Sequence, residues 1–173
     1  EGVLSSPRVW WMFKYFGHKK VFILNGGFKA WAFANGKIIS GLEKITQTKY
    51  KVGRLKKKIN VTFEELAYIK KQNDNYSILD ARPARRFLKL DSEPRKNIGK
   101  GNIEESKNLE ASIFELNGFF ITKSKIRNIL KKVIFKNNKV ICTCGSGISA
   151  CSIAFSLSFI GNLNWSVYDG SWA

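Results

Sequence analysis

The sequence predicts an α/β fold in which the strands of an open sheet alternate with helices, arranged as two similar domains with the first truncated. The 173 residues are 44% hydrophobic, which suffices for a packed core. A β-branched run at 138–143 leads through two glycines into apolar residues at helical spacing, a succession typical of strand, tight loop and helix. A similar helix, glycine, strand and turn pattern occurs at both ends of the chain, which indicates an internal duplication.

Residues 1–39 are predicted to be the end of the first domain. Ser5, Ser6 and Pro7 are typical of a helix start, and Gly17 is placed to end that helix. The apolar run 21–24 predicts a buried strand. A glycine-containing turn is predicted at 25–27, and a short helix at 28–35.

Residues 40–61 lack clear periodicity and are predicted to be a linker, and residues 62–173 are predicted to form the second, catalytic domain. Thr62 and Glu65 form the pattern of a capping box for a helix through residue 71, with a turn at 73–75. The strand at 77–81 carries Asp80 near its carboxyl end, where open α/β sheets gather their sites.

A short helix after Pro83, a polar loop at 89–106 and a helix after Thr122 are predicted to follow. The inner face of that last helix is expected to consist of four apolar residues, namely Ile126, Ile129, Leu130 and Val133.

The two copies align at a constant offset of 144 residues. The matched pairs are Ser149 with Ser5, Ile153 with Val9, Leu157 with Phe13, Gly161 with Gly17 and Tyr168 with Leu24. In this alignment 145–147 fall on Glu1, Gly2 and Val3, so the first copy places a carboxylate and a bulky apolar residue in its loop. Only the second copy is therefore predicted to form an open anion site.

Cys144 stands where the predicted strand meets this loop. Backbone N–H groups and a helix N-terminus favour an anion there, and a thiolate is such an anion. From spacing alone two interpretations stay open: a nucleophilic cysteine, or a buried structural cysteine beside an ordinary glycine-rich turn.

The net charge of +17 is spread over scattered lysines, which disfavours nucleic-acid binding as the main function but should attract anionic substrates. Three cysteines close together, an odd number, favour a reducing compartment, and we expect a cytoplasmic location. With His18 the only histidine, we expect no metal site and no cofactor. No apolar run is long enough for a membrane span. The start at Glu1, without Met or a signal pattern, suggests a fragment.

Several motifs together resemble the tandem rhodanese-type sulfurtransferases, in particular their branch that uses 3-mercaptopyruvate. They are Cys144-Gly145-Ser146-Gly147-Ile148-Ser149-Ala150, Tyr168-Asp169-Gly170-Ser171-Trp172, Leu79-Asp80-Ala81-Arg82-Pro83, Glu93-Pro94-Arg95 and Ser6-Pro7-Arg8. The resemblance implies a rhodanese-like fold, an open parallel sheet flanked by helices.

The resemblance also implies a chemistry. Cys144 would take sulfur from 3-mercaptopyruvate as a persulfide, release pyruvate, and pass the sulfur to a thiol, thioredoxin or cyanide. Ser146 would assist proton movement, and Arg86 and Arg95 would bind the substrate. The active-site loop would comprise five further residues, Gly145, Gly147, Ile148, Ser149 and Ala150.

Alternatives remain. Neutral Gly145 and Ser146 favour mercaptopyruvate over thiosulfate, for which relatives carry basic residues at these positions. Ala150 stands where a rhodanese-like phosphatase needs arginine, which excludes that activity. Residues 101–106 depart from the family by placing Glu104 and Glu105 near a site meant for anions. This departure favours a second hypothesis, a persulfide-carrying or regulatory module without turnover. Two other hypotheses remain: a thiosulfate sulfurtransferase and, from the net charge alone, a nucleic-acid-binding protein.

Overall fold

The computed structural model describes residues 5–72, 75–134 and 139–173. Its strands are β1 (Asn60–Val61), β2 (Tyr76–Asp80), β3 (Lys107–Asn108), β4 (Glu115–Leu116), β5 (Phe119–Phe120), β6 (Lys139–Thr143) and β7 (Trp165–Tyr168). Its α-helices are α1 (Ser6–Tyr15), α2 (Gly27–Phe33), α3 (Phe63–Gln72), α4 (Ala84–Phe87), α5 (Lys123–Leu130) and α6 (Ala150–Phe159).

Five strands form one sheet in the order β1-β7-β6-β2-β3, and every neighbouring pair is parallel. The predicted open parallel sheet is thereby confirmed. Because all carboxyl ends meet at one edge, Asp80 lies opposite Thr143, and the residues after β6 and β7 emerge side by side.

Helix α6 packs against the centre of the sheet and buries seven of its ten residues. It is apolar on nearly all sides because α1 covers it from outside, with Trp10 in edge-on contact with Phe155, 5.2 Å between ring centroids. Ile126 and Leu130 of α5 join the same core, as the predicted inner face requires. Helix α3 covers the opposite face through Leu66, which packs with Ile78 and Ile141.

The predicted start and end of α1 and the predicted starts of α3 and α5 are confirmed, although the Ser5 side chain makes no capping hydrogen bond to α1. Helix α1 begins at Ser6 and stops before Gly17, whose φ of +81° is the left-handed conformation that glycine adopts without strain. The capping box is present, since Thr62 N–H donates to Glu65 Oε2 at 2.9 Å and Glu65 N–H to Thr62 Oγ1 at 3.2 Å. Thr122 caps α5 through Lys125 N–H.

The predicted strand at 21–24 is wrong. These residues form no strand, and Phe22 is 87% exposed. A short apolar run becomes a strand only beside another strand, and in the described part of the chain no strand pairs with this segment. Of the pattern that the two ends of the sequence share, the described residues have the helix and the following glycine at both ends, and the strand only at the second, as β7.

Residues 36–56 contain no helix or strand, and 41–56 are all exposed. The end of the predicted linker differs, because Asn60 and Val61 pair with β7 as an edge strand. Two further predictions lie outside the described residues: the first copy's loop at Glu1–Val3, and the turn at 73–75 apart from its last residue.

The hairpin of β4 and β5 was not predicted from the sequence. Its turn is Asn117-Gly118, both with positive φ (53° and 83°), the conformation that a two-residue hairpin requires. Asn25 Oδ1 accepts a hydrogen bond from Phe120 N–H at 2.7 Å, so the hairpin ties the N-terminal segment to the sheet-bearing part.

Candidate active site

Cys144 lies directly after β6 at the carboxyl edge of the sheet, and only 1% of its surface is exposed. The loop then turns back so that Ser146 N–H donates to Cys144 Sγ at 3.4 Å. Helix α6 starts at Ala150, one residue after Ser149. The predicted strand, loop and helix are therefore present, with a loop N–H directed at the sulfur.

Ser171 is a second polar group on this sulfur, which the sequence analysis did not single out. Its hydroxyl lies 3.8 Å from Cys144 Sγ and accepts the Cys144 N–H at 3.2 Å. It also lies 3.1 Å from the Tyr168 carbonyl, so its single proton is shared between two acceptors. The signal was present: Ser171 follows β7, which neighbours β6 in the sheet.

The backbone at Ser171 is unusual, since its φ is +54°. A residue with a side chain adopts this left-handed conformation at a cost of about 1–2 kcal/mol. Trp172 N–H bonds to the Cys144 carbonyl at 3.0 Å and holds the strained turn against the loop.

The other two cysteines are held as thiols. Burial raises the pKa of Cys142 well above its usual value, and the neighbouring thiols Cys151 and Cys144 add to this. Burial raises the pKa of Cys151 to about 12, although Arg8 opposes the shift. Neither is a nucleophile at neutral pH, because the thiolate is the reactive form.

Arg86 lies against the loop. A Cβ atom on Gly145 would sit 2.7 Å from Arg86 Nη2, so the glycine makes room for this guanidinium. Nη2 is hydrogen-bonded to Glu93 Oε2, while Nε is buried without a partner in the described structure. Arg86 therefore has one donor, Nε, that is buried and has no partner among the described residues.

A buried ion network supports Arg86. Arg82, 1% exposed, donates to both oxygens of Asp80, to Glu93 Oε1 at 2.8 Å and to the Gly101 carbonyl at 2.9 Å. Burial raises the pKa of Glu93, but the hydrogen bonds and charges of Arg86 and Arg82 outweigh this and lower it. Glu93 is thus a carboxylate that fixes both arginines, a role the sequence analysis missed.

The other predicted site residues differ in burial and in their contact with the loop. Gly147 and Ala150 are buried, Ser149 is half-buried, and Ile148 is 45% exposed at the outside of the loop. Arg95 lies on the exposed stretch 94–97 and forms no hydrogen bond or ion pair with another described residue. The structure therefore brings Arg86, but not Arg95, into contact with the loop.

The concern about Glu104 and Glu105 is corrected by their contacts. Both lie near Lys70 of α3, with oxygen to Nζ distances of 3.5 and 3.9 Å, and Tyr76 OH donates to Glu105 at 2.7 Å. Tyr76 opens β2, whereas Asp80 ends it, so these carboxylates lie toward the opposite edge of the sheet from Cys144.

Among the described residues no group of three or more His, Cys, Asp or Glu side chains is arranged for a metal ion. In the same ranges, none of the helices has both the length and the apolarity that crossing a bilayer requires.

Comparisons with known proteins agree with this geometry. The family model described as "Rhodanese-like domain" matches residues 62–173. A 3-mercaptopyruvate sulfurtransferase of Mus musculus is 34% identical over 174 residues, 99% of this chain and 58% of that protein. A thiosulfate sulfurtransferase of Cricetulus griseus is 31% identical over 175 residues, again 99% of this chain and 58% of the relative.

Among solved structures, the 3-mercaptopyruvate sulfotransferase SseA of Escherichia coli superimposes with a TM-score of 0.84 at 26% identity, covering 100% of this chain and 64% of SseA. These similarities confirm the predicted rhodanese-like fold. The chain spans 58% of the length of the two curated relatives above.

Proposed function

Because this chain belongs to the family of rhodanese-like domain proteins, we propose that it moves sulfur from 3-mercaptopyruvate to an acceptor through a persulfide on Cys144. The acceptor is a thiol, thioredoxin or cyanide, and pyruvate is released. The proposal concerns the whole protein that contains this chain.

One observation carries the proposal. Among the described residues, a loop N–H and a hydroxyl both lie on the sulfur of Cys144, at 3.4 and 3.8 Å, and on that of neither other cysteine. The donors stabilise negative charge on that sulfur in a site with little water. Cys142 and Cys151 have raised pKa values through burial and stay protonated.

The chemistry follows in two steps. The Cys144 thiolate attacks the sulfur of 3-mercaptopyruvate, a sulfur–sulfur bond forms, and the carbon–sulfur electron pair goes to the methylene carbon, which takes a proton to give pyruvate. An acceptor thiolate then attacks the outer sulfur and frees the Cys144 thiolate. Ser146 is proposed to help the proton reach the leaving carbon.

Arg86 is proposed to bind the substrate carboxylate, for which its guanidinium would turn to present the buried, unpartnered Nε. Its position beside Gly145 supports this role, since a carboxylate bound there lies next to the cysteine loop. Arg95 is proposed as a second substrate arginine. Because it lies on an exposed loop, it would have to fold in over the bound substrate.

Two other functions compete with this proposal. Thiosulfate is the alternative donor, since a relative of similar identity is a thiosulfate sulfurtransferase. The neutral residues Gly145 and Ser146 favour 3-mercaptopyruvate, an organic monoanion, over thiosulfate, a dianion. A persulfide carrier without turnover loses its main support, because Glu104 and Glu105 are directed to Lys70 and Tyr76 rather than to the loop.

We further propose the division into 1–39 as the end of a first domain, 40–61 as a linker and 62–173 as the catalytic domain. Support comes from apolar side chains at the surface of the N-terminal segment. Phe22, Phe33 and Leu24 are 87%, 92% and 56% exposed, as expected of residues that a further part of a first domain covers. All three cysteines are free thiols, which supports the cytoplasm as the compartment.

The test replaces each cysteine by serine in the intact natural protein. Cys144→Ser should abolish pyruvate release and persulfide formation, while Cys142→Ser and Cys151→Ser keep most of both. Persulfide is measured by mass spectrometry of the intact protein after one turnover. Sulfur transfer by Cys144→Ser, with loss in either of the other two, would overturn the assignment.

A further inference from the structure

We propose that Arg8 of α1 is a positioning residue for the Cys144 loop, holding the Gly147 carbonyl outward so that the loop N–H groups face the sulfur. The inference rests on the proposed sulfur transfer. It gives the N-terminal segment, outside the region matched by the family model, a part in the chemistry of the second domain.

Arg8 joins two segments that flank Cys144. Its Nη1 donates to the Gly147 carbonyl at 3.3 Å, across 139 positions of sequence. The same guanidinium binds both carboxylate oxygens of Asp169, Nη1 to Oδ1 and Nη2 to Oδ2, the latter at 3.3 Å. One planar group therefore fixes the loop after β6 to the segment after β7.

The guanidinium is itself held in place. Its Cζ lies 4.7 Å from the ring centroid of Trp11, which is 3% exposed and donates Nε1–H to the Ile59 carbonyl at 3.1 Å. A cation over such an immobile ring has little freedom to swing away. Arg8 is thus prearranged, as a positioning group must be.

The Gly147 peptide shows what Arg8 controls. Gly147 has a φ of +75°, and a Cβ there would lie 2.5 Å from Asp169 Oδ1. Its carbonyl accepts a second hydrogen bond, from Cys151 Sγ at 3.2 Å, and that thiol stays protonated because burial raises its pKa to about 12. Two donors, Arg8 Nη1 and Cys151 Sγ, therefore fix the direction of this carbonyl.

The opposite side of the same peptide carries the Ile148 N–H. In a trans peptide the carbonyl and the N–H point in opposite directions, and the described chain has no cis peptide. On this proposal, holding the Gly147 carbonyl toward Arg8 directs the Ile148 N–H the opposite way, toward Cys144, whose Sγ already accepts the Ser146 N–H at 3.4 Å.

A purely structural ion pair is the competing explanation. The Asp169 side chain is 41% exposed, and such a pair contributes little to stability. Substitutions distinguish the ion pair from the positioning role, because Asp169→Asn removes the ion pair while Arg8 still reaches the Gly147 carbonyl. Arg8→Met combined with Asp169→Asn removes the donor without leaving an uncompensated carboxylate.

The experiment uses the intact natural protein with steady-state kinetics on 3-mercaptopyruvate and on thiosulfate, and single-turnover persulfide formation by mass spectrometry. Arg127→Met is the matched control, since Arg127 also donates to a backbone carbonyl, that of Ile160 at 3.4 Å, but at the far end of α6. Melting temperatures by circular dichroism show that each variant is folded.

We expect the double variant to lower kcat at least about tenfold for both donors with KM changed less than about twofold, because sulfur stabilisation is lost while substrate binding is kept. Asp169→Asn alone should lose less than about threefold, and Arg127→Met nothing measurable. Arg8→Lys should fall between, since it keeps one donor but loses the fork.

Each other outcome decides against the proposal. If the double variant has the kcat of the wild type, the Gly147 contact is not needed. If Arg8→Met alone loses activity and the added Asp169→Asn restores it, only the ion pair mattered. A raised KM with unchanged kcat makes Arg8 a substrate-binding residue. If the double variant does not fold, Arg8→Lys at the wild-type rate overturns the inference. Absence of persulfide in the wild type refutes the proposed function itself, which is a distinguishable result.

Discussion

The hydroxyl of Ser171 provides the sharpest test of how this site handles its sulfur. Two substitutions remove it, Ser171→Ala and Ser171→Gly, and they differ in backbone strain. At a φ of +54° alanine keeps the strain of serine, whereas glycine relieves about 1–2 kcal/mol. Both leave the buried Cys144 N–H without its acceptor, which costs about 1–3 kcal/mol.

These terms give separate expectations for stability and for rate. Ser171→Ala should be less stable than Ser171→Gly by about 1–2 kcal/mol, or about 2–8 °C in melting temperature for a chain of this size. Both should slow persulfide formation equally, by about 10- to 100-fold, because each loses a hydrogen bond to a charged sulfur.

The assay is single-turnover formation of the Cys144 persulfide, with melting followed by circular dichroism. Ser166→Ala is the matched control on β7, because the buried Ser166 hydroxyl has no partner within the described ranges and its loss should not reduce stability. Rates that follow melting temperature, with glycine faster than alanine, would show that strain and not the hydroxyl matters. Two variants at the wild-type rate would refute its role altogether.

Three further outcomes are expected. Arg86→Ala should lower kcat/KM for mercaptopyruvate at least about tenfold, with partial recovery in Arg86→Lys, and an equal loss with a donor lacking a carboxylate would contradict the substrate role. Gly145→Ala places a methyl group 2.7 Å from Arg86 Nη2 and should raise KM for mercaptopyruvate more than for thiosulfate; an unchanged KM ratio argues against the contact. Glu93 has a lowered pKa, so its stabilising contribution is present above its unfolded pKa of about 4.3 and lost as pH falls through the folded value. The stability difference between wild type and Glu93→Gln, measured by urea unfolding, should therefore shrink from pH 6 to pH 3, and a constant difference would contradict it.

Local signals made the strand, loop and helix around Cys144 predictable, because each rests on residues within a few positions. The same holds for the capping box at Thr62, where both partners lie three residues apart. The contacts that complete the site are not local. Ser171 reaches Cys144 across 27 positions because β7 neighbours β6, and Arg8 reaches Gly147 across 139 because α1 packs against α6.

The wrong predictions have the same origin. The run at 21–24 has the composition of a strand, but no neighbouring strand receives it. Glu104 and Glu105 lie in the predicted polar loop, and the resemblance to the family placed them near the anion site. Their side chains instead reach Lys70 and Tyr76, toward the far edge of the sheet, because the path of the loop in space is set by contacts distant in sequence.

The depth of Cys144 sets a size limit on its reaction partners. Only 1% of the surface of Cys144 is exposed, so a slender sulfur donor reaches its sulfur more easily than a bulky reagent does. In the proposed persulfide the outer sulfur would stand about 2 Å further from the cysteine, one sulfur–sulfur bond length. Under the proposed mechanism the transferred sulfur would therefore be more accessible than the cysteine that carries it. A broad acceptor surface would then contact the sulfur only in the persulfide state, and the unmodified cysteine would be protected from thiols and alkylating agents.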